Sequence, residues 1–143
     1  MFIGEYYYNL DTKGRMAIPS KIRNQVGETL IITRGLDSCL FLYEKKDWEQ
    51  LAEKIKNLPL SQSNSRAFAR LMLAGAMEVT IDNQGRILIP DYLRNYADLK
   101  KKIVLVGVYD RLEIWDEDNW NTYKNKTERE SSEIAEKLSQ LGI

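Results

Sequence analysis

Apolar residues recur along this chain in short runs divided by glycine-bearing and charged turns, and the runs fall into two matching sets. In the first set, residues 5–10 form an aromatic, strand-like stretch and Thr12-Lys13-Gly14 a tight loop with glycine where a positive φ is needed. Residues 15–18 then resume a strand, which predicts a hairpin with Arg15 leaving its turn. After Pro19, residues 20–26 predict a short helix with Ser20 as N-cap and with Ile22 and Val26 on one face. Strands over 29–33 and 39–43 close the set. The second set repeats the order: strands over 76–81 and 86–89 around Asn83-Gln84-Gly85, a helix over 91–96 capped by Asp91, and strands over 103–106 and 112–115. Each set reads strand, strand, short helix, strand, strand.

Helical periodicity takes over between and after the sets. Trp48, Leu51, Ala52 and Ile55 fall at helical spacing before Leu58-Pro59, and residues 66–76 give an alanine-rich pattern in which Phe68, Leu71, Met72 and Gly75 suit packing on another helix. Residues 128–141 predict a third amphipathic helix, with Ile134, Leu138 and Leu141 on one stripe. The resulting division is a first half-unit over 5–47, a helical connector over 48–75, a second half-unit over 76–119 and a C-terminal helix or tail over 120–143. Four short strands bury little alone, so two half-units interleaving their hairpins are expected to share one barrel-like core. Three flanking helices exceed what such a barrel can bury, which favours a homo-oligomer.

The two sets are copies. Asp11-Thr12-Lys13-Gly14-Arg15-Met16-Ala17-Ile18-Pro19 returns as Asp82-Asn83-Gln84-Gly85-Arg86-Ile87-Leu88-Ile89-Pro90, and Arg23 returns as Arg94, at a shift of 71 positions. After one inserted residue, Gly35 maps onto Gly107, Leu40 onto Leu112, Tyr43 onto Trp115 and Trp48 onto Trp120. An arginine beside a glycine turn, kept in both copies, points to a surface used twice.

Composition excludes several classes. With 143 residues, 43% of them hydrophobic, the chain supports one compact domain or two small interlocked ones. A single cysteine rules out an intramolecular disulfide, no apolar run approaches the length of a membrane span, and the N-terminus lacks the pattern of a secretory signal, so a cytoplasmic protein is expected. Histidine is absent, which removes the commonest general base and the commonest zinc ligand, and Cys39 reads as a structural thiol in a buried strand. The acids at 116–118 and those before Trp48 read as helix starts. Neither catalytic residues nor a metal or other cofactor is predicted.

Net charge is zero, yet it is unevenly placed. Residues 11–36 carry five bases against two acids and residues 82–111 six against four, whereas residues 112–143 carry eight acids against four bases. Basic charge therefore sits in the copied units.

Asp-x-x-Gly-Arg-x-x-Ile-Pro followed by a short helix ending in arginine resembles the AbrB and SpoVT DNA-binding half-barrel. Two copies in one chain, opening Met1-Phe2-Ile3-Gly4-Glu5-Tyr6, resemble the MraZ family along essentially the whole sequence. The resemblance implies a mainly β, α+β fold in which tandem AbrB-like half-barrels swap hairpins within one chain. It also implies a ring-shaped homo-oligomer that binds double-stranded DNA and regulates transcription at the promoter of the division and cell-wall gene cluster, hence a nucleoid location and no membrane partner. The family's Asp-x-x-x-Arg signature falls on Asp11 to Arg15 and Asp82 to Arg86. Lys13 is replaced by Gln84 and Lys21 by Tyr92, so the halves are not expected to contribute equally.

The chemistry of these residues fits that role. Arginine presents a planar fork of donors that matches phosphate oxygens or the O6 and N7 edge of guanine, and a rigid two-stranded turn can carry it into the major groove. Arg15 and Arg86 are the candidates for base edges, and Lys13, Lys21, Arg23 and Arg94 for phosphates. Gly14 and Gly85 form the turns, in which Asp11 and Asp82 accept backbone N–H bonds or orient the guanidinium. Binding is expected on short direct repeats, because a ring makes later contacts intramolecular. The competing expectation is an oligomeric scaffold or protein-interaction module, antitoxin-like variants included, that docks an acidic partner on the same turns.

Overall fold

A computed structural model describes residues 1–143. The first half comprises β1 (Phe2–Asn9), β2 (Arg15–Ala17), α1 (Ser20–Arg23), β3 (Thr29–Arg34) and β4 (Leu40–Glu44). The connector holds α2 (Lys45–Lys56) and α3 (Ser63–Ala69), which runs into a π-helical turn at Arg70–Ala74. The second half repeats the order with β5 (Met77–Thr80), β6 (Arg86–Leu88), α4 (Asp91–Tyr96), β7 (Lys102–Tyr109) and β8 (Leu112–Asp116), and the chain ends in α5 (Glu117–Arg129), α6 (Ser131–Lys137) and a short 3₁₀ turn.

Six strands form one antiparallel sheet in the order β1-β7-β8-β4-β3-β5, and β2 pairs with β6 in a separate ribbon. The local hairpins β3–β4 and β7–β8 form as the sequence predicts. The hairpin expected of β1 with β2 does not. β1 lies along β7 from Phe2 opposite Tyr109 to Asn9 opposite Lys102, and β5 lies along β3. Each half thus gives its first strand to the other half's sheet, and the loops after β1 and β5 carry the chain across to the ribbon.

The pairing defines a pseudo-twofold axis. In the ribbon, Arg15 faces Leu88 and Ala17 faces Arg86, while Met16 faces Ile87, its own counterpart at a shift of 71. In the sheet, Leu40 faces Ile114 and Leu42 faces Leu112, while Phe41 faces its counterpart Glu113. The axis passes through the Met16–Ile87 and Phe41–Glu113 pairs.

Strand alternation sends residues to two cores. Leu30, Ile32, Leu40, Leu42, Ile103, Leu105, Leu112 and Ile114 point inward and join Met16, Ile18, Ile22, Ile87, Ile89 and Leu93 in a closed interior shared by both halves. Cys39, Phe41, Tyr43, Val104, Val106 and Trp115 point outward and are covered by Ile55, Met72, Trp48, Leu51, Phe68 and Trp120 from the helices. Fully burying one such aliphatic side chain contributes about 1.5–3 kcal/mol. Trp48 packs on Tyr43 at 5.9 Å between ring centroids, and Trp120 packs on Trp115 at 5.2 Å. Their matched positions in the repeat are therefore the contacts that seat α2 and α5 on equivalent strands.

Other local expectations need correction. Ser20 and Asp91 are the first helical residues, not N-caps; Pro19 and Pro90 precede them, and neither helix start carries a side-chain cap bond. Gly107 pairs with Leu112 as Arg34 does with Leu40, so Gly107 is equivalent to Arg34, and Gly35 lies in the β3–β4 loop. A Cβ at Gly107 would stand 2.5 Å from the Ile3 backbone nitrogen, whereas one at Gly35 would meet the Cys39 carbonyl oxygen at 2.7 Å. Two different close approaches explain the two glycines. The helix expected over 66–76 begins at Ser63 and widens to π geometry, and the tail helix breaks at Glu130 between α5 and α6.

Candidate nucleic-acid interface

Both Asp-x-x-Gly-Arg turns are built alike. Asp11 Oδ1 accepts the backbone N–H groups of Lys13 and Arg15, each at 2.9 Å, and Asp82 Oδ1 accepts those of Gln84 and Arg86, each at 2.9 Å. Gly14 and Gly85 adopt φ of +86° and +76°, and their N–H groups close the loops onto the carbonyls of Asp11 and Asp82. These N–H bonds hold both carboxyls below the usual aspartate range, the backbone bond from Arg15 dominating at Asp11 and that from Arg86 at Asp82.

The turns are stitched together across the axis. Ile18 donates its N–H to the Gly85 carbonyl and Ile89 to that of Gly14, both at 2.9 Å, extending the three-residue β2–β6 ladder at each end. Met16 and Ile87 point into the core, so alternation turns Arg15, Ala17, Arg86 and Leu88 to the opposite, accessible face of the ribbon. The two arginines thus share one surface.

They are not held equally. Arg86 reaches Asp82 Oδ2 at 3.3 Å and Asp11 Oδ2 at 3.5 Å, whereas Arg15 lies 3.9 Å from Asp11 Oδ2. Asp11 therefore faces the arginines of both halves. Partly exposed pairs of this kind contribute about 0–1 kcal/mol each, so their main effect is to set the direction of the guanidinium groups.

Arg23 and Arg94 cross to the opposite half. The Arg23 guanidinium covers Gly85 and donates to the Ile18 carbonyl at 3.1 Å, and the Arg94 guanidinium covers Gly14 while pairing with Asp91. Both glycines are buried beneath them. Arg94 Nε is enclosed without a partner, while the Arg23 side chain remains exposed at its outer edge. Lys13 and Lys21 stand free in solvent on the first half. On the second half, the counterpart of Lys21 serves a different purpose. The Tyr92 hydroxyl donates to the Gly75 carbonyl at 2.8 Å and its ring lies under Arg34, tying α4 to the connector.

An open cleft of about 730 Å³ flanks the first turn, lined by Asp11, Thr12, Arg94, Asn95, Lys100 and Lys101 among others. Lys101 is fixed there because its carbonyl accepts the Leu10 N–H at 2.8 Å; at the second turn Glu28 does the same for Ile81. This basic residue, and the outward Leu88, escaped the sequence reading. Leu88 had a legible signal: it alternates with the inward Ile87 and Ile89, so it is an apolar residue on the solvent side of a strand.

The MraZ family model, described as "MraZ protein, putative antitoxin-like", matches residues 1–71 and again residues 72–141. The chain is also 46% identical to the transcriptional regulator MraZ of Alkaliphilus metalliredigens, 48% to that of Acetivibrio thermocellus and 49% to that of Clostridium acetobutylicum, in each case over 143 residues that span the whole of both chains. The two family matches meet between residues 71 and 72, within the π-helical turn of the connector, and each contains one copy of the Asp-x-x-Gly-Arg turn. With both halves matched and relatives aligned end to end, the chain belongs to the MraZ family of transcriptional regulators.

Proposed function

We propose that this chain regulates transcription by binding double-stranded DNA sequence-specifically through the β2–β6 ribbon. The observation that carries the reading is that both copies of the turn are joined in one ribbon with Arg15 and Arg86 on the same accessible face. In this reading the two arginines address guanine edges in the major groove, and Lys13, Lys21 and the exposed edge of Arg23 hold phosphates. Arg94, paired and half-covered, braces the first turn. Asp11, Asp82, Gly14 and Gly85 set the turn geometry.

One protomer offers few cations, so we further propose that a homo-oligomeric ring engages short direct repeats near the promoter of the division and cell-wall gene cluster, in association with the nucleoid. Exposed apolar residues away from the ribbon, including Ile3, Leu60, Leu138 and Leu141, support assembly. No helix is long and apolar enough to cross a membrane.

The test compares binding to DNA from upstream of the chain's own gene with binding to a length-matched unrelated fragment across a salt series. A preference that survives rising salt and disappears in the Arg15→Ala/Arg86→Ala double variant supports the proposal. Equal, steeply salt-sensitive binding to both fragments refutes sequence reading, and no binding to either directs attention to the scaffold alternative.

A further inference from the structure

The accessible face of the ribbon carries four side chains, and only two of them are arginines. Arg15 stands directly across from Leu88, and Arg86 directly across from Ala17. Directly opposed side chains on a ribbon have Cβ atoms about 4.5–5.5 Å apart, roughly the spacing of one to two stacked base pairs. Leu88 is 51% exposed, although the flanking Ile87 and Ile89 are fully buried. This large aliphatic residue, beside the freer of the two arginines, belongs to neither of the two cores.

Among base edges in the major groove, the thymine 5-methyl is the apolar feature, and apolar side chains recognise it. We infer that Leu88 is a specificity-determining residue that packs on a thymine methyl within one or two base pairs of the guanine addressed by Arg15. The inference rests on the proposed DNA-reading function. Its pseudo-symmetric position holds Ala17, whose single methyl reaches less far from the strand. The ribbon therefore has a thymine contact on one side of its axis and a weaker or absent one on the other, and the bound protein acquires a direction along the duplex.

The experiment uses the full chain and two versions of its own upstream fragment, one with thymine and one with thymine replaced throughout by deoxyuridine, which removes only the methyl. The native protein is expected to bind the deoxyuridine fragment about threefold to fivefold more weakly, the effect of losing contact with one methyl-sized group. Leu88→Ala is expected to bind the thymine fragment more weakly by a similar factor and to lose the difference between fragments, Leu88→Met to retain it, and Lys21→Ala to weaken both fragments while keeping their ratio. Equal native affinity for the two fragments, with preference over unrelated DNA intact, overturns the leucine contact and leaves the regulator reading standing. A full ratio in Leu88→Ala, or a change in its oligomeric mass in place of the ratio, also overturns it. Absence of any preference for the upstream fragment overturns both.

Discussion

The guanidinium of Arg23 occupies the space above Gly85 where any other residue would place its Cβ, and Gly85 belongs to the opposite half of the chain. Glycine is required there twice, once for its φ of +76° and once for the arginine lying on it. Gly85→Ala is expected to destabilise the protein by about 2 kcal/mol, combining about 1–2 kcal/mol of left-handed backbone strain with displacement of Arg23. In denaturant unfolding at fixed protein concentration, Arg23→Ala should recover only the steric share, so the double variant should be less destabilised than the sum of the singles.

Arg15→Ala and Arg86→Ala are expected to fold as the native protein does and to lose about 1–3 kcal/mol of specific affinity each, measured by titration with the upstream fragment. Lys21→Ala should weaken binding to all sequences alike and lower the salt slope by about one. Normal specific binding by the arginine double variant would remove the ribbon from the mechanism.

Acid should loosen the turns. Asp11 and Asp82 have carboxyl groups held below their unfolded values, so their contribution to stability is present above the unfolded pKa of about 3.9 and is lost as pH falls through the lower folded value. Below about pH 4 the unfolded chain binds more protons than the folded one, and stability declines. An Asp11→Ala/Asp82→Ala variant should show a flatter decline between pH 5 and pH 2 in thermal unfolding. An unchanged slope would mean that other carboxylates carry the acid sensitivity.

Cys39 is expected to resist thiol reagents. Its side chain is buried, donates to the Leu36 carbonyl at 3.1 Å, and burial pushes its thiol far above the ordinary range, so almost no thiolate exists near neutral pH. Maleimide should label it only in denaturant. Rapid labelling of the folded protein would show that the outer core opens on its own.

The elements were legible in the sequence wherever pairing is local. Residues 29–33 and 39–43, like 103–106 and 112–115, are apolar runs joined by short loops, and they pair as neighbours do. The pairing of the first strand was not legible, because Tyr6, Tyr7 and Tyr8 find partners at Leu105, Val104 and Ile103, far along the chain, and no local pattern encodes that distance. The candidate arginines were legible from the duplicated motif. Their different surroundings were not, because Arg23 and Arg94 act on the turn of the other copy and Tyr92 serves the connector, and both depend on contacts made only after the halves interlock.

The Met16–Ile87 pair on the axis has a wider consequence. A dimer of identical chains must carry the same residue on both sides of its dyad, which matches it to palindromes. Here the two sides belong to one polypeptide and each has been free to diverge, so that Ala17 and Leu88, or Lys13 and Gln84, occupy equivalent places with different chemistry. Covalent union of the copies thus freed the accessible face of the ribbon from exact twofold symmetry, so that in the proposed DNA-binding role the protein has a head and a tail of its own.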